Sequence, residues 1–381
     1  MVENLESRTD ARVALLSLRN IENHVSRSHG YEFEDTILEM DQADLIAPEA
    51  IQSQRIVTGI KNRLSYRSQA ARYLPTGLKQ VELGQDYDLF FYSIAQLRDL
   101  NALDAVRSWR ERSASAICWI QELWIAHLDQ HAALLERLNE FDFVICSFAG
   151  TAEALKGRLK VPVHAIPWGL DAVHFCPWPN PPERAIEALG IGVRHPNTHA
   201  ALIDHADRTG SYYSYETISG RAEMTDYRAH RKNYVGQLQR SRYFFSYIAK
   251  IERPEERALQ TEFGLRYIEG MAAGAVILGS KIDSDAFRKH LDWEDSVIDV
   301  PYDCAEIDKV IESLNAEPER LAAISQRNIV TCIERHDHLD RWRRVLELAG
   351  LETTPQMSAR QIKLDELEAL AQGVSTSIAA S

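Results

Sequence analysis

The 381-residue chain lacks most of what would place it outside the ordinary globular classes. Nowhere do eighteen apolar residues run together, so no membrane-spanning helix is predicted. The opening stretch MVENLESRTDARVAL carries several acids and no apolar core of signal-peptide type, and a cytoplasmic setting is expected. Cysteine is scarce: five residues, odd in number and scattered at Cys118, Cys146, Cys176, Cys304 and Cys332, with no CxxC pair. That excludes a disulfide framework and a structural zinc site, and leaves reduced core thiols. Positive charge is in deficit, 43 Lys and Arg against 56 Asp and Glu, a net charge of −13. The surface as a whole therefore repels nucleic acid and anionic lipid unless a local basic patch overrides it. Internal repeats and low-complexity tracts are absent as well, which rules out a solenoid.

What remains is the composition of a folded protein, 45% hydrophobic and 26% charged, long enough for about two or three domains. Apolar, β-branched runs recur between helix-length intervals: Val13 to Leu18, Asp88 to Ile94, Ala116 to Ile120, Phe141 to Ser147 and Val163 to Ile166. Ala185 to Ile191, Tyr243 to Ala249, Val276 to Gly279 and Val297 to Val300 repeat the rhythm. Alternating strand and helix predicts parallel α/β sheets, here two doubly wound, Rossmann-like domains. Between the halves, CPWPNPPE (Cys176 to Glu183) denies backbone donors and helix continuation, marking a boundary. Near the end Leu339, Trp342, Leu346 and Ala349 form one helical stripe with Gly350 as its cap. Ile362, Leu364, Leu367 and Leu370 form a second, before a polar tail whose last ten residues are expected to fray.

The most informative stretch is TEFGLRYIEGMAAGAVILG, Thr261 to Gly279, which reads as loop, helix and buried strand in succession. Thr261 is suited to cap the helix, Phe263, Tyr267, Met271, Ala272 and Ala273 to pack, and Gly274 to end it. The helix start offers free amides from Phe263 and Gly264 onward, the positive end of a dipole, and Arg266 one turn in, a setting for phosphate. Glu269 is able to accept both hydrogens of a ribose diol. Taken alone, it reads more readily as a surface glutamate on an amphipathic helix.

A second stretch, AIPWGLDAVHFCP (Ala165 to Pro177), resembles PNGVDxxxFxP, the inter-domain signature of retaining glycosyltransferases of the GT-B fold, family 4 type. Pro167, Gly169, Asp171, Phe175 and Pro177 match it. FGLRYIEGMAAGAVILG resembles the ExFGLxxxEAMAxGxPVI motif of the same family, in the expected order. FDFVICSFAGTAEALKGRLKVPVHAIPWG is similar to the last strand, helix and strand of the N-terminal domain, and ALGIGVRHP (Ala188 to Pro196) to the first strand of the C-terminal one. The resemblance covers roughly residues 140 to 350.

The resemblance implies a GT-B architecture: an acceptor-side domain over 1–170, a nucleotide-sugar domain over 171–338, and helices over 339–381 crossing back onto the first. It implies transfer of a hexose-type sugar from a nucleotide-diphosphate-sugar to a hydroxyl acceptor with retention. The donor is a substrate, and no separate cofactor or metal is called for. Arg194, Arg266 and Glu262 are the catalytic candidates. Glu269, Gly264, Phe263, Leu265 and Lys250 are the donor-binding ones, and the early loop Asn20 to Gly30, with His24, Arg27 and His29, is a third wall.

The sequence departs from the family where Thr261 replaces the first motif glutamate, with Glu262 one residue late. No lysine follows Arg194, so Arg266, Lys250 or Arg253 is left to compensate, and CWIQELW offers Gln121 and Glu122 where many members have a histidine. A non-catalytic nucleotide-sugar-binding or scaffold protein and a GT-B-like epimerase therefore stay open as alternatives. The basic run from Arg228 to Lys250 reads as a helix packing Tyr227, Tyr234, Val235 and Leu238 on the sheet with a solvated basic face, not as a nucleic-acid site. His336 to His338 lacks a third ligand and is assigned no metal. Peripheral contact with a membrane stays open.

Overall fold

In the computed structural model, residues 2–4, 10–192, 194–217, 222–257 and 260–373 are described. The chain forms two compact units. Unit 1 comprises Met1–Trp168, Glu223–Tyr227 and Arg341–Ser358, and unit 2 comprises Gly169–Ala222, Arg228–Asp340 and Ala359–Ser381. The proline-rich Cys176 to Glu183 stretch falls inside unit 2.

Unit 1 is built on β1 (Val13–Leu16), β2 (Ala43–Ile46), β3 (Tyr87–Ile94), β4 (Ser113–Ile120), β5 (Phe143–Cys146) and β6 (Val163–Ala165), all parallel, in the order β2-β1-β3-β4-β5-β6. The strands are near-continuous apolar runs because both sheet faces are covered; all four residues of β1 are buried. Strand β2 carries no such signal, since its Asp44 interrupts a four-residue run, yet Asp44 is buried and accepts a 2.8 Å hydrogen bond from Tyr87 Oη. Helices α1 (Ser28–Met40) and α2 (Gln54–Ser65) follow β1 and β2. The returning segment Arg341–Ser358 is anchored by Trp342, fully buried, whose Nε1 donates to Asp41 Oδ2 at 2.8 Å. Arg12 grips the same carboxylate at 2.7 and 2.9 Å.

Unit 2 holds β7 (Ile186–Gly190), β8 (Tyr213–Tyr215), β9 (Ser241–Ser246), β10 (Val276–Gly279) and β11 (Ile298–Asp299), parallel in the order β8-β7-β9-β10-β11. Its helices include α3 (Pro196–Thr209), α4 (Tyr227–Gln239, from Arg228 onward), α5 (Leu265–Ala272) and α6 (Pro318–His336). Gly270 of α5 lies so close to the sheet that a Cβ would come within 2.6 Å of Phe244 and Ile277 side-chain atoms. At the chain end α7 (His338–Ala349) buries Leu339, Trp342 and Leu346 as their spacing predicts.

Helix α8 (Pro355–Gly373) is rotated from the predicted stripe. Ile362 and Leu370 are exposed, whereas Met357, Leu364, Leu367 and Ala371 are buried. Arg360 sets the rotation: it lies on the buried face and pairs with Asp337 at 2.7 Å and Asp171 at 2.6 Å. Of the tail expected to fray, 374–381 lie outside the described residues.

In each sheet the first strand sits between the second and the third, so the winding reverses there. Ligands of open parallel sheets bind beyond the carboxyl ends of the strands at such a reversal. That directs attention to the residues just after β1 and β3 in unit 1, and after β7 and β9 in unit 2.

Candidate functional site

In unit 2, β7 runs into the turn Ile191–Gly192. Gly192 has φ +84°, and a Cβ there would lie 2.4 Å from Arg266 Nη1, so both conformation and space require glycine. Arg266, exposed on the first turn of α5, donates from Nη1 to Ile191 O at 2.6 Å. From the other side Arg194 donates to Gly192 O at 3.0 Å, to Gly190 O at 3.3 Å and to Glu216 O at 2.6 Å. Its guanidinium lies 5.4 Å from the Tyr215 ring centroid, and its buried Nε has no hydrogen-bond partner among the described residues. Two arginines expected to share a site thus meet on one turn. Their bonds are to neutral carbonyls, and among the described residues neither forms an ion pair.

The other basic candidates differ. Lys250, in a left-handed conformation (φ +55°) after β9, pairs with Glu256 at 2.9 Å, and Arg253 pairs with Glu256 and Glu252. Of the residues proposed to compensate for the missing lysine, only Arg266 keeps uncompensated charge.

Helix α5 begins at Leu265, not at Thr261. Gly264 is its extended N-cap residue, and no side chain caps it; Tyr267 N donates to Gly264 O at 3.3 Å, which leaves the amides of Leu265 and Arg266 at the helix start. Phe263 is buried against Phe287 and His290. Glu262 is buried and accepts from Gln260 Nε2 at 2.9 Å, tying it to its own loop.

Glu269 is not a surface residue. It is buried, with Arg231 Nη1 donating to Oε1 at 2.6 Å and Tyr234 Oη to Oε2 at 2.9 Å. Burial, reinforced by this carboxylate, pushes the Tyr234 phenol well above its usual range. The basic face expected of α4 is solvated at Arg228 and Lys232, but Arg231 departs from it and points inward, over the Phe175 ring at 5.1 Å, to meet the buried glutamate. Nothing in the local sequence signals that pair, since its members are far apart in the chain.

In unit 1, a small pocket opens beyond β1, β3 and β4, lined by Leu18, Gly30, Tyr31, Glu34, Ser93 and Gln121 among others. Gln121 Nε2 donates to Ser93 Oγ at 2.9 Å, and Gly30 lies so near it that a Cβ would approach Nε2 to 2.6 Å. Glu34 is buried; its Oε2 accepts from Ser17 Oγ at 2.5 Å and from Arg19 Nη2 at 2.7 Å, while Oε1 has no partner among the described residues. Burial pushes its carboxyl up to about 7 against the pull of Arg19 and Ser17. Sequence reading missed Glu34, because its position within α1 gives no motif.

Of the early-loop candidates, Arg27 is buried in a two-point pair with Asp99 at 2.5 and 2.9 Å. His29 stacks edge-on with Trp168 and His24 accepts from Ser26 N, so the loop is held by its own unit. Asp337 of the HDH run accepts from Ala172 N and pairs with Arg360.

Residues 196–347 match the family model described as glycosyl transferase-like. The match covers less than half of the chain and includes Arg266, Glu269, Arg231 and α5 entirely. No curated protein matches in sequence. Among solved structures, a glycosyltransferase from Rickettsia africae ESF-5 shares 10% identity over 90% of this chain and 98% of that one, with a TM-score of 0.49. Anabaena Alr3699/HepE in complex with UDP-glucose shares 12% over 89% and 99%, at 0.48. TarM shares 11% over 68% of this chain, at 0.44, and the chain spans only 54% of its length. No helix among the described residues is long and apolar enough to cross a membrane.

Proposed function

We propose that the chain is a retaining glycosyltransferase that moves a sugar from a nucleoside-diphosphate donor to a hydroxyl acceptor without a metal ion. One observation carries the reading: two guanidiniums without acidic partners converge on the turn after β7, where the winding of unit 2 reverses. A cationic turn with open helix amides fits a diphosphate.

In this reading Arg194 and Arg266 hold the diphosphate. As the bond from the anomeric carbon to the phosphate oxygen breaks, both stabilise the charge left behind. The acceptor oxygen bonds the anomeric carbon on the same face, and its proton passes to the leaving phosphate, so no protein nucleophile is needed. Glu269 acts as a positioning residue, fixing α4 on α5 through Arg231 and Tyr234.

A second reading, a nucleotide-sugar binder without turnover, is favoured by Thr261 in place of an acid and by the buried, engaged Glu262. A thermal-shift screen across uridine, guanosine and adenosine diphosphate sugars, in chelator, tests donor binding. Saturation at 100 times the dissociation constant adds about 2.7 kcal/mol of stability. Release of free sugar or of product from the best donor supports the transferase, and tight binding with no turnover supports the second reading. No stabilisation by any donor overturns both.

A further inference from the structure

Helix α2 is inside out. Its buried positions are Lys61 and Ser65, whereas Ile56, Ile60 and Leu64 are 71%, 54% and 45% exposed. Spaced by four, the three share one stripe. An ordinary surface helix does the reverse, burying the apolar stripe and solvating the charges.

The inner face is held by polar contacts. Lys61 Nζ lies 2.7 Å from Asp104 Oδ2 and donates to Leu74 O at 2.7 Å, and Asn101 Nδ2 donates to Ser65 Oγ at 3.0 Å. Arg137 shares the Asp104 carboxylate at 2.7 Å, so the anchor is a buried network. The apolar stripe is thus presented outward by design of the inner face, not left over from a loose fit.

Charge accompanies it. Residues 50–81 contain Arg55, Lys61, Arg63, Arg67, Arg72 and Lys79 and no Asp or Glu, within a chain of net charge −13. Arg55, Arg63 and Arg67 are exposed and make no side-chain hydrogen bond or ion pair among the described residues. Tyr73, 83% exposed, extends the patch at the end of the following turn, with the Arg72 guanidinium 5.9 Å from its ring centroid.

We infer that this face of unit 1 docks on an anionic bilayer surface, with Ile56, Ile60 and Leu64 in the interfacial layer and Arg55, Arg63 and Arg67 among the lipid headgroups. Two complementarities select the bilayer. Anionic headgroups match the unpaired arginines, and acyl chains match a stripe that water leaves uncovered. A nucleic acid satisfies the first alone. The acidic remainder of the chain is repelled by the same surface, which leaves this patch to face it. The inference is independent of the donor reading.

The test is co-sedimentation of the full chain with vesicles of phosphatidylcholine containing roughly a third phosphatidylglycerol, against pure phosphatidylcholine, at low and high salt. The expected result is pelleting with the anionic vesicles only, weakened by salt. Ile56→Glu/Ile60→Glu and Arg63→Ala/Arg67→Ala each reduce it about tenfold or more, on the scale of several interfacial contacts. Ile362→Glu, also at an exposed apolar position, leaves it unchanged. Matching denaturation curves show that the variants fold. Wild-type protein that stays in the supernatant, or pelleting indifferent to both α2 variants, overturns the inference. So does loss on the arginine changes alone, with single-stranded RNA competing, which assigns the face to a polyanion.

Discussion

The reversal points of the two sheets occupy the same topological place and are charged in opposite manners. In unit 1 every arginine near the pocket has a carboxylate: Arg27 on Asp99, and Arg19 on Glu34 and Asp35. Burial works against the charge of Arg27, and Asp99 outweighs it, holding the guanidinium above its usual range. In unit 2, Arg194 and Arg266 are tied to backbone carbonyls and form no ion pair among the described residues, the nearby Glu216 carboxylate accepting from Gly192 N at 3.2 Å instead. Paired arginine is architecture, and buried pairs of this kind fail when one partner is removed. An arginine without an ion-pair partner at a sheet's carboxyl edge has an anion as its natural complement.

The contrast breaks first at a buried pair next to that turn's helix in unit 2, Arg231 with Glu269. Arg231→Met is expected to destabilise the protein by about 3 kcal/mol, because Glu269 is left buried with only Tyr234 beside it. Chemical denaturation measures it, and a loss below about 1 kcal/mol would make Glu269 available for another role. Arg266→Ala, by comparison, leaves stability nearly unchanged and lowers kcat about a hundredfold once a donor is known, the typical effect of losing one preorganised donor. Near-normal turnover would transfer the phosphate role to Lys250 or Arg253, despite their acidic partners. Gly192→Ala forces a Cβ into the Arg266 guanidinium at positive φ, and a loss of about 1 to 3 kcal/mol is expected.

The remaining effect, a pH dependence, concerns unit 1. Glu34 has a folded pKa raised to about 7 from 4.5. A raised acid contributes stability that is fully present below about pH 4.5 and lost as pH rises through about 7. Wild type should therefore lose about 1 to 3 kcal/mol relative to Glu34→Gln between pH 5 and 8. Parallel stability curves for the two proteins would show that Arg19 holds the carboxyl ionised throughout, making both reversal points alike in having a fixed charge.

Much of this was legible from the chain. Uninterrupted apolar strands such as β10 announce themselves because both faces are buried, and the small residues of EGMAAG predict close packing of α5, which Gly270 realises. The meeting of Arg194 and Arg266 followed from motif order. What stayed hidden depends on contacts between distant residues. Arg231 looked solvated because Glu269 lies thirty-eight positions away. Strand β2 was masked by Asp44, whose partner Tyr87 is forty-three away. The face of α8 was misjudged because Arg360, not a leucine, fixes its rotation. Helix α2 carries an ordinary amphipathic stripe in Ile56, Ile60 and Leu64, and periodicity alone does not say that the polar face is the inner one.

The central claim is that the unpaired arginines of unit 2, and not the paired basic residues near them, bind a diphosphate. Calorimetric titration of uridine, guanosine and adenosine diphosphates in chelator tests it directly, on wild type, Arg194→Ala, Arg266→Ala and Lys250→Ala. The account predicts saturable binding by at least one of them without metal, weakened about tenfold or more by either arginine change and less than about twofold by Lys250→Ala, in line with charge-assisted bonds against a neutralised lysine. Binding that is lost with Lys250→Ala and kept in both arginine variants would contradict it.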